Sequence, residues 1–161
     1  RFLTRAAELG MKIYVISGNH DSARRLASNS GLLSQLGIYI SLPFSAEEPV
    51  RVERLGDIDI ALMPFVSLSD VRGAYPEEDI QDITGAVEAV LRHAGLPAER
   101  PCVLAAHQAV GDAGGIVGTA ECVDVSVFSG FAYTFMGHIH TPADCAENVR
   151  YCGSPVCFSG R

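Results

Sequence analysis

Short apolar runs rich in β-branched residues recur along this chain, and three of them end at or next to a polar turn that carries histidine. Residues 12–16, 102–106 and 131–136 each have the pattern of a buried strand. Between such runs, residues 79–94 place apolar side chains at helical spacing. Because strands and helices of this kind must cover one another's apolar faces, the pattern predicts a layered α/β domain.

The remaining segments fit the same architecture. Residues 50–54 and 58–63 alternate in polarity around the turn Leu55-Gly56-Asp57, which predicts a β-hairpin. Residues 109–118 are predicted to form a glycine-rich loop. The other predicted elements are helices over 2–9, 23–28 and 31–36 and strands over 38–42 and 149–152. Within the third helix and its end, Leu32, Leu33 and Leu36 fit a core face and a dimer contact equally well.

Composition excludes several classes of protein. With 161 residues, 48% hydrophobic and 19% charged, the chain has the size and apolar content of one folded domain rather than of a disordered segment. No apolar run approaches the roughly 18 residues that span a bilayer, so we expect no transmembrane helix. Five cysteines without a Cys-x-x-Cys pair indicate free thiols and a cytoplasmic location. The net charge of -7 argues against a basic nucleic-acid module, although bound metal ions would offset it.

The histidines carry most of the functional information. Four of the five lie in turns at or near the ends of predicted strands: His20, His107, His138 and His140. In layered α/β sheets, ligands bind beyond the carboxyl ends of the strands. Imidazole is a preferred ligand of metals such as Mn, Fe and Zn, so the pattern predicts a metal site, with Gly137 giving its turn conformational freedom. The fifth histidine, His93, lies on the polar side of a helix and is assigned no role.

Three motifs in order give this pattern its specificity: Gly18-Asn19-His20-Asp21, a strand-end His107, and Gly137-His138-Ile139-His140. They resemble successive motifs of the calcineurin-like metallophosphoesterases. The flanking sequences, among them Val123-Asp124-Val125 and Gly153-Ser154-Pro155, resemble the SbcD-type nuclease subunits of that superfamily. The resemblance covers essentially the whole chain. It implies that residues 1–161 form a partial metallophosphoesterase domain, an N-terminally incomplete four-layer αββα sandwich of the α/β class.

The family binds two divalent metal ions, usually manganese, which together clamp a phosphate for in-line attack. The resemblance implies that Asn19, His107 and His138 are ligands of one ion. It implies that His140 is a ligand of the other ion.

Two further residues match catalytic positions of the family. His20 is expected to stabilise charge near the scissile phosphate or to protonate the leaving oxygen. Asp21 is expected to orient and polarise His20, although it also fits a plain residue at a helix start. Arg24 and Arg25 fit two interpretations, phosphate contacts and solvated helix charges, with the solvated interpretation favoured.

The chain departs from the family pattern in one large respect. The family's first two motifs, Asp-x-His and Gly-Asp, precede the Gly-Asn-His-Asp turn, but no Asp-x-His occurs here and the Gly-Asp pairs at 56–57 and 111–112 follow that turn. Most ligands of one metal ion are therefore expected to be missing. We expect the chain to be inactive by itself and to belong to a longer protein.

The resemblance implies a metal-dependent nuclease subunit that hydrolyses DNA phosphodiester bonds, works with an SbcC-like ATPase in DNA end processing, and forms a homodimer. Two alternatives stay open. One is a metallophosphoesterase of the same fold that acts on small molecules or cyclic nucleotides. The other is a non-catalytic scaffold, which would be expected to have lost ligand residues that this chain retains.

Overall fold

The computed structural model describes residues 2–97, 99–111, 116–117 and 120–155. Its helices are α1 (Phe2–Glu8), α2 (Ala23–Ala27), α3 (Ser30–Ser34), α4 (Leu68–Ala74) and α5 (Ile83–His93), with a 3-10 turn over Val125–Phe128. Its longer strands are β1 (Ile13–Val15), β2 (Ile38–Ile40), β3 (Arg51–Leu55), β4 (Ile58–Leu62), β5 (Cys102–Ala106), β10 (Tyr133–Met136), β11 (Ala143–Ala146) and β12 (Val149–Tyr151). Two-residue strands lie between them: β6 (Val110–Gly111), β7 (Ile116–Val117), β8 (Ala120–Glu121) and β9 (Val123–Asp124).

A six-stranded mixed sheet forms the centre of the fold, in the order β11-β12-β10-β5-β4-β3. The four inner strands β12, β10, β5 and β4 run parallel, while β3 and β11 close the two edges antiparallel. Parallel strands are covered on both faces, which explains the near-continuous apolar sequence of β5. The predicted α/β fold class is confirmed, and the arrangement is consistent with a metallophosphoesterase-like fold.

A second, two-stranded parallel sheet joins β1 to β2. Tyr14 and Tyr39 lie side by side across this sheet, with ring centroids 5.3 Å apart. Arg51 connects it to the larger sheet, because its guanidinium donates a hydrogen bond to the carbonyl of Ile40 at 3.0 Å. The two sheets therefore have adjoining edges rather than separate cores.

The core lies between the central sheet and α5. Ala61, Leu104 and Met136 from three neighbouring strands are fully buried in this core, as are Val87 and Val90 of the helix. The prediction placed this helix over residues 79–94, but it begins only at Ile83. Asp82 is the reason, since its carboxylate accepts a hydrogen bond from the Gly85 N–H at 2.8 Å and caps the helix there.

Several other predictions are confirmed. The hairpin of β3 and β4 turns at Gly56, which has a φ of 60°. Cys102 is buried in β5, no disulfide links the four described cysteines, and Cys157 lies outside the described residues. His93 has a structural role, stacking on Tyr75 with ring centroids 4.1 Å apart.

Other predictions were incomplete. The sequence pattern missed α4 and β11, and the predicted loop over 109–118 contains β6 and β7, with residues 112–115 and 118 outside the described residues. Within the described residues, no helix has the length and hydropathy needed to cross a bilayer. The core interpretation of Leu32 and Leu36 is wrong, because these side chains are 65% and 60% exposed.

Candidate metal centre

The predicted site residues follow strands whose carboxyl ends meet at one edge of the fold. The turn after β1 is joined to the end of β4 by a hydrogen bond from the Phe65 N–H to the Ser17 carbonyl at 2.9 Å. The end of β5 is joined to the end of β10 by a hydrogen bond from the Gly137 N–H to the Ala106 carbonyl at 2.9 Å. Backbone pairing therefore brings three distant motifs together, as expected for strand ends in a parallel sheet.

His107 is the centre of this cluster. Its Nε2 lies 3.1 Å from Oδ1 of Asn19, within hydrogen-bonding distance. The ring of His138 lies edge-on to it, with centroids 5.4 Å apart. The ring of Phe65 takes a similar edge-on position at 6.3 Å. The structure thus brings together the three residues expected to bind one ion.

Two glycines make room for the His107 imidazole. A Cβ atom on Gly18 would lie 2.6 Å from the ring, and one on Gly137 would also lie 2.6 Å from it. Both distances are below any normal contact, so a side chain at either position would push the ring out of place. Gly18 and Gly137 therefore leave the space that the His107 ring occupies between the two motifs.

The turn at Gly137-His138 differs from the expectation. Gly137 was predicted to supply conformational freedom, but the residue with a left-handed backbone is His138, with a φ of 83°. A histidine in this region is strained relative to glycine, and such strain is found at functional sites. It gives the His138 side chain an orientation that a regular strand extension would not produce.

The His140 turn is held from the other side. The N–H of Ser154 donates to the His140 carbonyl at 2.9 Å. Gly153 has a φ of 75°, and a Cβ there would lie 2.6 Å from the Pro142 ring. The Gly153-Ser154-Pro155 turn thus fixes the backbone beside His140.

The electrostatics favour neutral imidazoles. Burial lowers the pKa of His107 to about 4, with His138, His20 and His140 acting in the same direction and Asp21 opposing them. Burial also lowers the pKa of His138, again with contributions from His20 and His140. The four histidines are therefore close enough to influence one another. A neutral imidazole is the form that binds metal, and the lowered pKa values of His107 and His138 favour that form at neutral pH.

His20 and Asp21 lie at the exposed rim of the cluster. The Asp21 carboxylate accepts a hydrogen bond from the Gly18 N–H at 2.8 Å, which closes the 18–21 turn. Its expected action on His20 stays a prediction. Arg24 and Arg25 are exposed on α2, and both the favoured interpretation as solvated helix charges and the alternative of a phosphate contact stay predictions.

The distance between Asn19 and His107 fits two ligands of one metal ion. Two ligand atoms held at about 2.1 Å and at right angles around one ion stand about 3 Å apart, close to the 3.1 Å between Asn19 Oδ1 and His107 Nε2. Across the described ranges, no group of three or more His, Cys, Asp or Glu side chains is arranged to hold a metal. The set of Asn19, His107 and His138 contains only two side chains of these four types, because its third member is an asparagine amide.

Sequence reasoning missed two residues beside this cluster. Phe65 follows the end of β4 and Gln108 follows His107. The amide of Gln108 is buried and donates from Nε2 to the Val66 carbonyl at 3.0 Å, which fixes the segment after β4 against that after β5. Both Phe65 and Gln108 lie shortly after a buried strand. The same position identified the histidines, so it was the signal available in the sequence for these two residues.

No family model matches the chain. The SbcD subunit of nuclease SbcCD from Staphylococcus saprophyticus is 27% identical over 165 residues, covering 94% of this chain and 43% of that protein. The resemblance to SbcD is confirmed. The SbcD subunit from Staphylococcus epidermidis is 26% identical with the same coverage, so the chain spans less than half the length of these curated relatives. The similarity extends over nearly the whole chain.

Proposed function

We propose that this chain supplies part of the active site of a DNA nuclease subunit, with Asn19, His107 and His138 as ligands of one divalent ion. The observation that carries the proposal is the convergence of these side chains around His107, whose pKa is lowered to about 4. The similarity to the SbcD subunit of nuclease SbcCD supports a nuclease role.

The chain's own residues would do the following work. His107 and His138 present neutral nitrogen lone pairs, and Asn19 presents an uncharged oxygen that keeps the site from repelling a phosphate. His140 would contribute to a second ion, and His20 at the rim would stabilise charge on the phosphate or protonate the leaving oxygen. Two divalent ions, which we propose to be manganese, would supply Lewis acidity and an activated water.

Manganese binding to this chain tests the ligand assignment. We expect one Mn²⁺ per chain by electron paramagnetic resonance titration, and a loss of affinity of about tenfold or more in His138→Ala. His93→Ala is the matched control, because His93 bonds Glu78 and lies outside the cluster. Equal Mn²⁺ affinity in the wild type and in His138→Ala would contradict the assignment.

We propose further that the chain does not turn over DNA by itself, because it carries no Asp-x-His motif. Incubation with a DNA duplex and Mn²⁺ should give no cleavage. A longer protein that extends this chain to the length of its relatives should cleave the duplex, and His20→Ala should slow it by about 10²- to 10⁴-fold. Cleavage by the chain alone that His138→Ala abolishes would refute the first expectation.

The substrate and partners complete the proposal. A comparison of DNA ends with bis-p-nitrophenyl phosphate and a cyclic dinucleotide distinguishes a nuclease from a small-molecule phosphoesterase of the same fold. The name SbcCD describes a complex, so we propose an SbcC-like ATPase as a partner, a role in DNA end processing, and a cytoplasmic location. Fewer than one bound Mn²⁺ in the longer protein would favour a non-catalytic scaffold.

We also propose a homodimer formed through α3 and the residues that follow it. Leu32 and Leu36 are exposed there, and a cavity of about 970 Å³ beside them is lined by further apolar side chains that include Phe2, Met11 and Leu33. An apolar surface of this kind is a typical contact between protein subunits.

A further inference from the structure

A cavity of about 230 Å³ opens directly beside the candidate metal centre. Asn19 and His138 form part of its wall, so a ligand whose phosphate is bound at the metal centre can extend into it. The other walls are mainly apolar. They are formed by Phe65, Val66, Ser67, Leu68, Ile83, Gln108, Ala109 and Glu121.

We propose that this cavity receives the nucleobase attached to the bound phosphate, and that Phe65 is the aromatic surface on which the base stacks. This inference rests on the proposed nuclease function and adds to it a residue that positions the substrate. Aromatic side chains are common platforms for the bases of single-stranded nucleic acid, because every base has a π face.

The position of Phe65 supports this role. Its ring is only partly buried, and it lines both this cavity and a second one of about 370 Å³ on α4 and the segment before β3. Its backbone is held by the hydrogen bond from its N–H to the Ser17 carbonyl, and its ring by the edge-on contact with His107. The ring is therefore both accessible and fixed, which lowers the entropic cost of stacking.

The charge of the cavity favours a base over a second phosphate. No Lys or Arg is among the described residues that line it, and Glu121 is exposed at its wall. A phosphate there would be desolvated without a cation and would face a carboxylate. A nucleobase is neutral, flat and partly apolar, so it pays neither the desolvation cost of a charge nor the repulsion by the carboxylate. The second cavity includes Asp70, and none of the clustered histidines lines it.

Binding measurements on this chain with Mn²⁺ test the proposal without using turnover. The probes are deoxyadenosine 5′-monophosphate and 2-deoxyribose 5-phosphate, which carries the same phosphate but no base. We expect the nucleotide to bind about five- to a hundredfold more tightly by calorimetry, the range given by one stacked base. The fluorescence of 2-aminopurine deoxyriboside 5′-monophosphate should fall on binding, as stacking on an aromatic ring quenches it.

Three variants separate stacking from general packing. Phe65→Leu should remove both the preference for the nucleotide and the fluorescence loss, whereas Phe65→Tyr should retain them. Phe135→Leu, a matched change at an exposed aromatic that does not line the cavity, should leave both unchanged. Should Phe65→Leu fail to fold, Ala109→Leu fills the same cavity and should abolish the preference while 2-deoxyribose 5-phosphate still binds.

The outcomes are distinguishable. Equal affinity for the nucleotide and for 2-deoxyribose 5-phosphate, or a preference that survives in Phe65→Leu, would overturn the base site and leave the phosphate site intact. Binding of neither probe would overturn the proposed function together with the base site. A preference lost in Phe65→Leu and kept in Phe65→Tyr establishes the stacking role.

Discussion

At the scale of single residues, the site depends on two glycines that lack a side chain as well as on the proposed ligands. The His107 ring is confined between Gly18 and Gly137. Neither glycine has a left-handed backbone, so backbone conformation does not explain why glycine occupies these two positions. Motif reasoning identifies both positions but assigns Gly137 the wrong purpose. Steric contacts between residues far apart in sequence cannot be read from local spacing, and the proposed ligands come from the resemblance to a family rather than from spacing.

Gly137→Ala is predicted to displace the His107 ring, since the added Cβ would lie 2.6 Å from its Nδ1. Overpacking of this kind costs about 1–3 kcal/mol of unfolding free energy. Urea denaturation measures that loss, and Mn²⁺ titration should show weaker binding than in the wild type.

Gly73→Ala is the control for this substitution. Gly73 lies in α4, where an added Cβ meets nothing within 4 Å. Alanine there is predicted to stabilise the protein by about 0.5–1 kcal/mol, because a helix favours alanine over glycine. A Gly137→Ala variant as stable as Gly73→Ala, with unchanged Mn²⁺ affinity, would refute the packing argument.

At the scale of elements, the strands with strong apolar patterns were predictable and the short ones were not. β5 and β10 are identified by their composition, and the hairpin by its alternation. The two-residue strands β6 and β9 pair only because the fold places Val110 opposite Val123, and no periodicity can appear in two residues. The seven-residue helix α4 is too short to show a clear apolar face.

Tyr151 connects the segment after His107 to β12 of the central sheet. It is buried in β12, and its hydroxyl accepts a hydrogen bond from the Val110 N–H at 2.6 Å and lies 3.3 Å from the Gln108 carbonyl. Tyr151→Phe would leave a buried N–H without its acceptor. We predict a loss of about 1–3 kcal/mol in the free energy of unfolding, measured with urea.

The same hydroxyl predicts a dependence on alkaline pH. Burial raises the pKa of Tyr151 from 10.0 to about 12. The unfolded chain releases this proton at lower pH than the folded chain, so the contribution is complete below pH 10 and is lost as pH rises towards 12. Stability in this interval should fall less steeply in Tyr151→Phe than in Tyr39→Phe, the matched control. Parallel curves for the two variants would contradict the assignment.

At the scale of the whole molecule, the exposed apolar surface around α3 is the proposed dimer contact. In the sequence, Leu32 and Leu36 fit a core and a contact surface equally well. Helical spacing predicts that they share one face of the helix, but it does not predict what packs against that face. The structure removes the first interpretation, since both side chains are more than half exposed.

The double variant Leu32→Glu with Leu36→Glu is predicted to convert a dimer into a monomer, because it introduces four like charges across a two-fold contact. Sedimentation equilibrium measures the mass directly. Leu55→Glu, at a residue that is 40% exposed on the β3 hairpin, is the control and should leave the mass unchanged. A wild-type chain that is monomeric at all concentrations tested would refute this contact surface.

The link between Ser154 and His140 also has a consequence for the order in which the protein is made. The backbone of His140 accepts a hydrogen bond from a turn that follows β12, and β12 pairs with β10. During synthesis Asn19, His107 and His138 therefore leave the ribosome before the segment that fixes the backbone of His140. A nascent chain cannot complete the proposed metal centre until β12 and the turn after it have emerged and docked.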